Sequence, residues 1–322
     1  MSPEARPPSI AMPATRGKRN LDEAERARLP GSFVRLSRGF AHYELSGPAA
    51  GPLVVLIPGL SVPYSTWDRN SGALAEAGYR VLRYEHYGRG YSDRPCNSEA
   101  CAVSRPPAMG MDRGERHRAY GLDLYVEQLA ELVSALGLAK PLVLIGLSMG
   151  GPVAAAAVTS YPGLARALVL IDPLYEWPEQ GLRSKLLALP ILGEAAMALR
   201  GSEILAAGQR GDFFDEASHR EFIPSYLPPL AYRGVARAVL ATMRSIPHWP
   251  LARIYEELGR SGIPTLLFWG REDATLPYEH SAKLLGLLPR AEFCSIEGAG
   301  HVPQWEKPAK VNGAILDFLR RA

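Results

Sequence analysis

The chain has 322 residues, 47% of them hydrophobic and 21% charged, with a formal net charge of +3. That is enough apolar material for a large buried core, and too little positive charge to argue for a nucleic-acid partner. The longest apolar runs, such as Leu53–Ile57 and Ala167–Ile171, have strand length and fall far short of a bilayer span, so no membrane-spanning segment is expected.

Residues 1–31 are rich in Pro, Ala, Arg and Glu and show no periodic apolar face. They read as a disordered N-terminal extension without a secretory signal, with Leu21–Leu29 as a short surface helix. Phe33–Arg38 and Phe40–Leu45 read as antiparallel strands joined near Gly39. Leu53–Ile57 is the first strongly buried strand and ends in Pro58-Gly59-Leu60-Ser61; a helix from Thr66 to Ala77 follows, closed by Gly78. Arg80–Tyr84 is the next strand, and the glycine-rich loop Glu85–Asp93 comes after it. Arg94–Arg118 carries several Pro and Gly breakers and reads as a loop insertion. Leu122–Leu136 has amphipathic helical spacing.

Leu142–Ile145 is a buried strand, broken at Gly146 and followed by an alanine-rich helix, Pro152–Ser160. Ala167–Ile171 is another strand, closed by Asp172-Pro173. Strand signals then vanish across residues 174–262, which read as an inserted helical cap. Thr265–Trp269, Ala291–Ile296 and a terminal helix over Pro308–Leu319 complete the alternation. The pattern predicts an α/β fold: a mostly parallel central sheet flanked by helices, its core formed by residues 32–173 and 263–322.

Between the central strand and its helix stands Gly146-Leu147-Ser148-Met149-Gly150. A turn this tight forces its middle residue into a strained backbone and aims the free N–H groups of the new helix at the Ser148 hydroxyl. Such donors stabilise the anion formed in acyl transfer. A serine hydroxyl also needs a base, and the base needs an orienting acid. Of seven histidines, His301 follows a strand within the small-residue loop Gly298-Ala299-Gly300-His301, which suits a general base. The acid candidate is Asp273, just past a buried strand, with Glu272 and Asp172 as alternatives. Backbone N–H groups of Leu60 and Met149 are candidates for the oxyanion hole. The three cysteines fit a reducing, cytoplasmic setting. Cys96 and Cys101 read first as free thiols, with pairing inside their shared insertion as the alternative, and their spacing lacks the other ligands of a zinc site. The third glycine of a dinucleotide loop is replaced by Asp93, and no metal motif or phosphate loop is present.

These motifs, together with Tyr87-Gly88-Arg89-Gly90-Tyr91-Ser92-Asp93 and Gly298-Ala299-Gly300-His301-Val302-Pro303, resemble the α/β-hydrolase superfamily, in its cap-bearing serine esterase-like form. The likeness runs from about residue 32 to the C-terminus. One departure is Pro58, where relatives usually carry histidine; another is the long insertion after Arg94. The resemblance implies a cofactor-independent hydrolase of a small molecule, with a Ser148–His301–Asp273 triad and a pocket between sheet and cap. Trp177, Leu186, Leu187, Tyr226, Trp249 and Val302 are candidates for an apolar substrate site. Ester hydrolysis is the first reading. Carbon–carbon bond hydrolysis of a ring-cleavage dienoate is the second, and a non-catalytic ligand-binding protein on the same scaffold is the third. Neither oligomeric state nor chain-length preference is read from the sequence.

Overall fold

The computed structural model describes residues 19–95, 120–177, 187 and 189–322. Cys96, Cys101, Leu186 and nearly all of the expected 94–118 insertion lie outside the described residues. In chain order the elements begin with helix α1 (Glu23–Arg26), strands β1 (Ser32–Leu36), β2 (Gly39–Ser46) and β3 (Leu53–Ile57), helix α2 (Asp68–Glu76), and strand β4 (Arg80–Tyr84). Helix α3 (Leu122–Ala135), strand β5 (Leu142–Leu147), helix α4 (Gly150–Ser160) and strand β6 (Ala165–Ile171) follow. Helices α5 (Leu192–Gly208), α6 (Glu216–Tyr226), α7 (Val235–Ser245) and α8 (Leu251–Ser261) precede strand β7 (Thr265–Gly270). The chain ends with helix α9 (His280–Leu287), strand β8 (Glu292–Ile296), and helices α10 (Pro303–Glu306) and α11 (Pro308–Leu319).

The eight strands form one sheet in the order β1-β2-β4-β3-β5-β6-β7-β8. Pairings β1–β2 and β2–β4 are antiparallel, and every other neighbour pair is parallel. Strands β3, β5 and β7 are buried along their whole length, as expected of central strands covered on both faces. The period of two divides their side chains between two cores. Val55, Leu144, Leu168 and Leu267 join the layer of α3, α4, α8 and α9, while Val54, Val143, Val169 and Leu266 join that of α2 and α11.

Two boundaries differ from the expectation. Helix α8 packs along α4, and its Tyr255 hydroxyl donates to the Leu174 carbonyl at 3.1 Å. It therefore covers the sheet, and the stretch that roofs the site ends near residue 250, earlier than the 262 read from the sequence. Residues 19–31, expected to belong to a disordered extension, are docked on the body. Arg19 N–H donates to Ala231 O and Arg233 N–H donates to Arg19 O, both at 3.0 Å. Asp22 caps α1, and Arg26 pairs with Asp93 at 2.5 Å. No described helix is long and apolar enough to cross a membrane.

Candidate active site

Ser148 sits at the C-terminal end of β5 with φ +53°, a left-handed backbone that is uncommon for a residue with a side chain. Its neighbours hold it there. Ser148 N–H donates to Ile171 O at 2.9 Å, and its carbonyl accepts from Gly151 N–H (2.9 Å) and Leu174 N–H (3.0 Å). The turn is tight enough that a Cβ on Gly146 would stand 2.4 Å from the Gly150 carbonyl oxygen, so only glycine fits. Helix α4 starts at the next turn, with Met149 as its N-cap. Among the described residues, neither Leu60 N–H nor Met149 N–H is taken by a backbone acceptor. Both residues line the same cavity as Ser148.

Asp273 and His301 come from the loops after β7 and β8. His301 Nδ1 lies 2.7 Å from Asp273 Oδ2, and both side chains are buried. The other oxygen, Asp273 Oδ1, accepts from the N–H groups of Thr275 (2.8 Å) and Leu276 (2.9 Å), which fixes the carboxylate. Burial alone would lower the His301 pKa, but the facing charges of Asp273 and Asp212 outweigh it and the net shift is upward. Of the alternative acids, Glu272 points away to accept from Ala299 N–H at 3.0 Å. Asp172 is fully buried, with Oδ1 accepting from Gly270 N–H at 2.8 Å. Burial, reinforced by the charge of Asp273, holds its carboxyl well above the usual range. Asp172, Asp273 and His301 present donor atoms within 4.8 Å of one another, a spacing a cation could bridge. The His301–Asp273 hydrogen bond forms one edge of that triangle.

A cavity of about 300 Å³ joins these parts. Ser148 and His301 line it beside Leu60, Met149, Trp177 and Val302, and so does Leu187. Trp249 does not: it packs in the core, its indole N–H donating to Ser245 Oγ at 3.0 Å, and it borders an adjoining groove that shares Trp177 and Ile246 with the cavity. Tyr226 is likewise buried in the core outside the lining.

Sequence reasoning passed over three residues. Arg89, 1% exposed, donates to Leu60 O and Thr242 Oγ1, both at 2.7 Å, and so ties the loop after β3 to α7. His86 lies 3.1 Å from Pro58 O and supports the same loop; burial lowers its pKa to about 3, so it is neutral. Asp212 accepts the His301 N–H through its backbone carbonyl at 2.8 Å. That approach requires Gly300, where a Cβ would stand 2.9 Å from the Asp212 oxygen. The one available signal was a charged residue between glycines, Gly88-Arg89-Gly90, which marks close packing around a long side chain.

Residues 54–314 match a family described as the alpha/beta hydrolase family. A curated relative is the 2-hydroxy-6-oxononadienedioate/2-hydroxy-6-oxononatrienedioate hydrolase of Paraburkholderia phymatum, 28% identical over 293 residues, with 86% of this chain and 90% of the relative aligned. Among solved structures, a thermophilic esterase from Thermogutta terrifontis superposes with TM-score 0.69 at 24% identity, over 90% of this chain and 99% of that one. A variant of the meta-cleavage product hydrolase from Pseudomonas fluorescens superposes with TM-score 0.68 at 21% identity, over 90% and 98%. The mostly parallel sheet, the order of its strands and a match spanning most of the length make this chain a member of the alpha/beta hydrolase family.

Proposed function

We propose that the protein is a serine hydrolase that cleaves a carboxylic ester of a largely apolar small molecule through an acyl-enzyme. The observation that carries this reading is the placement of Ser148, held at φ +53° on the rim of an apolar cavity that it shares with an Asp273-bound His301. In this mechanism Nδ1 of His301 is committed to Asp273, which leaves Nε2 to take the Ser148 proton as the hydroxyl attacks the acyl carbonyl. Asp273 holds the tautomer and stabilises the imidazolium. The N–H groups of Leu60 and Met149 receive the tetrahedral oxyanion, with the N-terminus of α4 adding its dipole. The proton returns to the leaving alcohol, and water activated by His301 then releases the acid. No cofactor enters these steps.

A second reading, carbon–carbon hydrolysis of a ring-cleavage dienoate, draws on the names of the Paraburkholderia and Pseudomonas relatives. A dienoate carries at least one carboxylate, and a buried site needs a cation to receive it. Among the described residues lining the cavity there is no Lys or Arg, which favours the ester reading. Hydrolysis of p-nitrophenyl esters from acetate to long-chain acyl, wild type against Ser148→Ala, tests it. The expected result is turnover by wild type with kcat reduced about 10⁵-fold or more in the variant. Equal rates in the two proteins would remove Ser148 from the mechanism, and turnover of a dienoate without any ester would select the second reading.

A further inference from the structure

The cavity has a polar edge that belongs to its roof. Gln209 and Asp212 lie on the short turn after α5, and both line the cavity with Ser148 and His301. Thr275 Oγ1 donates to Asp212 Oδ1 at 2.7 Å, and Gln209 Nε2 donates to Ser61 Oγ at 3.1 Å. The turn thus bridges the loop after β7 and the loop after β3, on either side of the nucleophile. Gln209 is 3% exposed, and its Oε1 has no hydrogen-bond partner. Asp212 is the sole carboxylate among the described lining residues, and no Lys or Arg balances it. Burial raises its pKa, while the facing His301 and the Thr275 hydroxyl pull the other way.

This edge is rich in acceptors and poor in donors. Asp212 has the Thr275 hydroxyl as a partner and faces His301, and it brings negative charge to a wall otherwise lined by Leu, Met, Trp and Val. A hydroxyl or a cationic group on the substrate adds to those partners, whereas a carboxylate there meets like charge across an apolar gap. We infer that the 209–212 turn is a specificity edge: it admits esters carrying a hydrogen-bond donor or a positive charge and refuses esters carrying a carboxylate, with Asp212 as the determining residue. The inference rests on the ester reading and narrows it to neutral and cationic substrates.

The test uses the full chain and its Asp212→Asn variant at pH 8. Both are given length-matched esters ending in methyl, hydroxyl, trimethylammonium or carboxylate groups. The kcat/KM of each is read as a ratio to that of the methyl ester in the same protein, so a general loss of activity cancels. Wild type is expected to take the carboxylate ester at least about tenfold less well than the methyl ester, and the variant to recover at least about tenfold of that ratio while losing preference for the cation. A purely structural role would scale all four rates together, and unmoved ratios in the variant overturn the inference. So does a wild-type preference for the carboxylate ester. If the methyl ester is turned over and the ratios stay fixed, the inference alone fails; if wild type leaves the methyl ester untouched, the ester reading fails and takes the inference with it.

Discussion

The floor of the cavity is made by loops that leave β3, β5, β7 and β8, and the first three of those strands are wholly buried and paired on both edges. Its roof is made by α5, the turn after it and α7, and in the stretch from residue 191 to 214 Ile191, Leu199 and Phe214 are 83%, 74% and 56% exposed. The floor has one backbone solution, because a shift of any central strand would unpair hydrogen bonds and move side chains between the two cores. The roof is helical, with side chains that can repack without breaking a ladder. The groups assigned to bond making and breaking stand on the floor, and the groups assigned to substrate selection stand mostly on the roof. Chemistry is placed where the fold resists change, and selectivity where it tolerates change.

The largest effect should come from the floor. Asp273→Asn leaves the loop its two backbone N–H donors but presents His301 with an amide, so kcat is expected to fall about 10³- to 10⁴-fold with little change in KM. Steady-state kinetics with a p-nitrophenyl ester checks this, and a loss below tenfold would separate Asp273 from the base.

Next in size is the pH dependence. The folded His301 pKa lies above its ordinary value of about 6.5, and the base must be neutral to act. The acid limb of kcat/KM should therefore have its midpoint above 6.5 and fall about tenfold per pH unit below it. A raised folded pKa also contributes stability that is complete below the unfolded value of about 6.5 and is lost as pH rises through the folded value. Activity should thus climb across the window in which this increment of stability fades. Urea midpoints measured beside the rate profile would show whether the two trends oppose each other.

A smaller effect joins floor to roof. Arg89→Met would leave the Leu60 and Tyr87 carbonyls and the Thr242 hydroxyl without their cationic partner. Unmade buried hydrogen bonds of this kind should lower unfolding stability by about 2–4 kcal/mol, and the loosened Leu60 loop should reduce kcat about tenfold. A stability loss with unchanged kcat would mean that the Leu60 loop keeps its shape without Arg89.

The same contrast explains what could be read from the sequence. The strands and the loops after them were legible because burial on both faces writes an unbroken apolar run, and the fold sends each run to a fixed place. Ser148, Asp273 and His301 could therefore be proposed one by one from the loops they stand on, while the 2.7 Å contact between the last two comes from the structure. The end of the roof was misplaced because α8 and the roof helices carry the same amphipathic pattern, which records that a face is buried and not what buries it. Trp249 was misassigned for the same reason: a tryptophan needs cover and one partner for its N–H, and Ser245 met that need inside the core. Arg89 and Asp212 were missed because their partners are distant in sequence; Thr242 lies 153 positions from Arg89. Residues 19–31 are held by capping and ion pairs, which leave no periodic trace.

The hydrogen bond from His301 N–H to the carbonyl of Asp212 gives the roof a hold on the proposed base. An excursion of the 209–212 turn away from the cavity would release that amide, and with it one of the ties that hold the His301 loop. Loss of that tie would slow the proposed hydrolysis. The His301 amide is a built-in reporter of this coupling. Its hydrogen-exchange rate should follow the opening of the roof and slow when a ligand fills the cavity, and an amide that exchanges independently of occupancy would show that the two motions are separate.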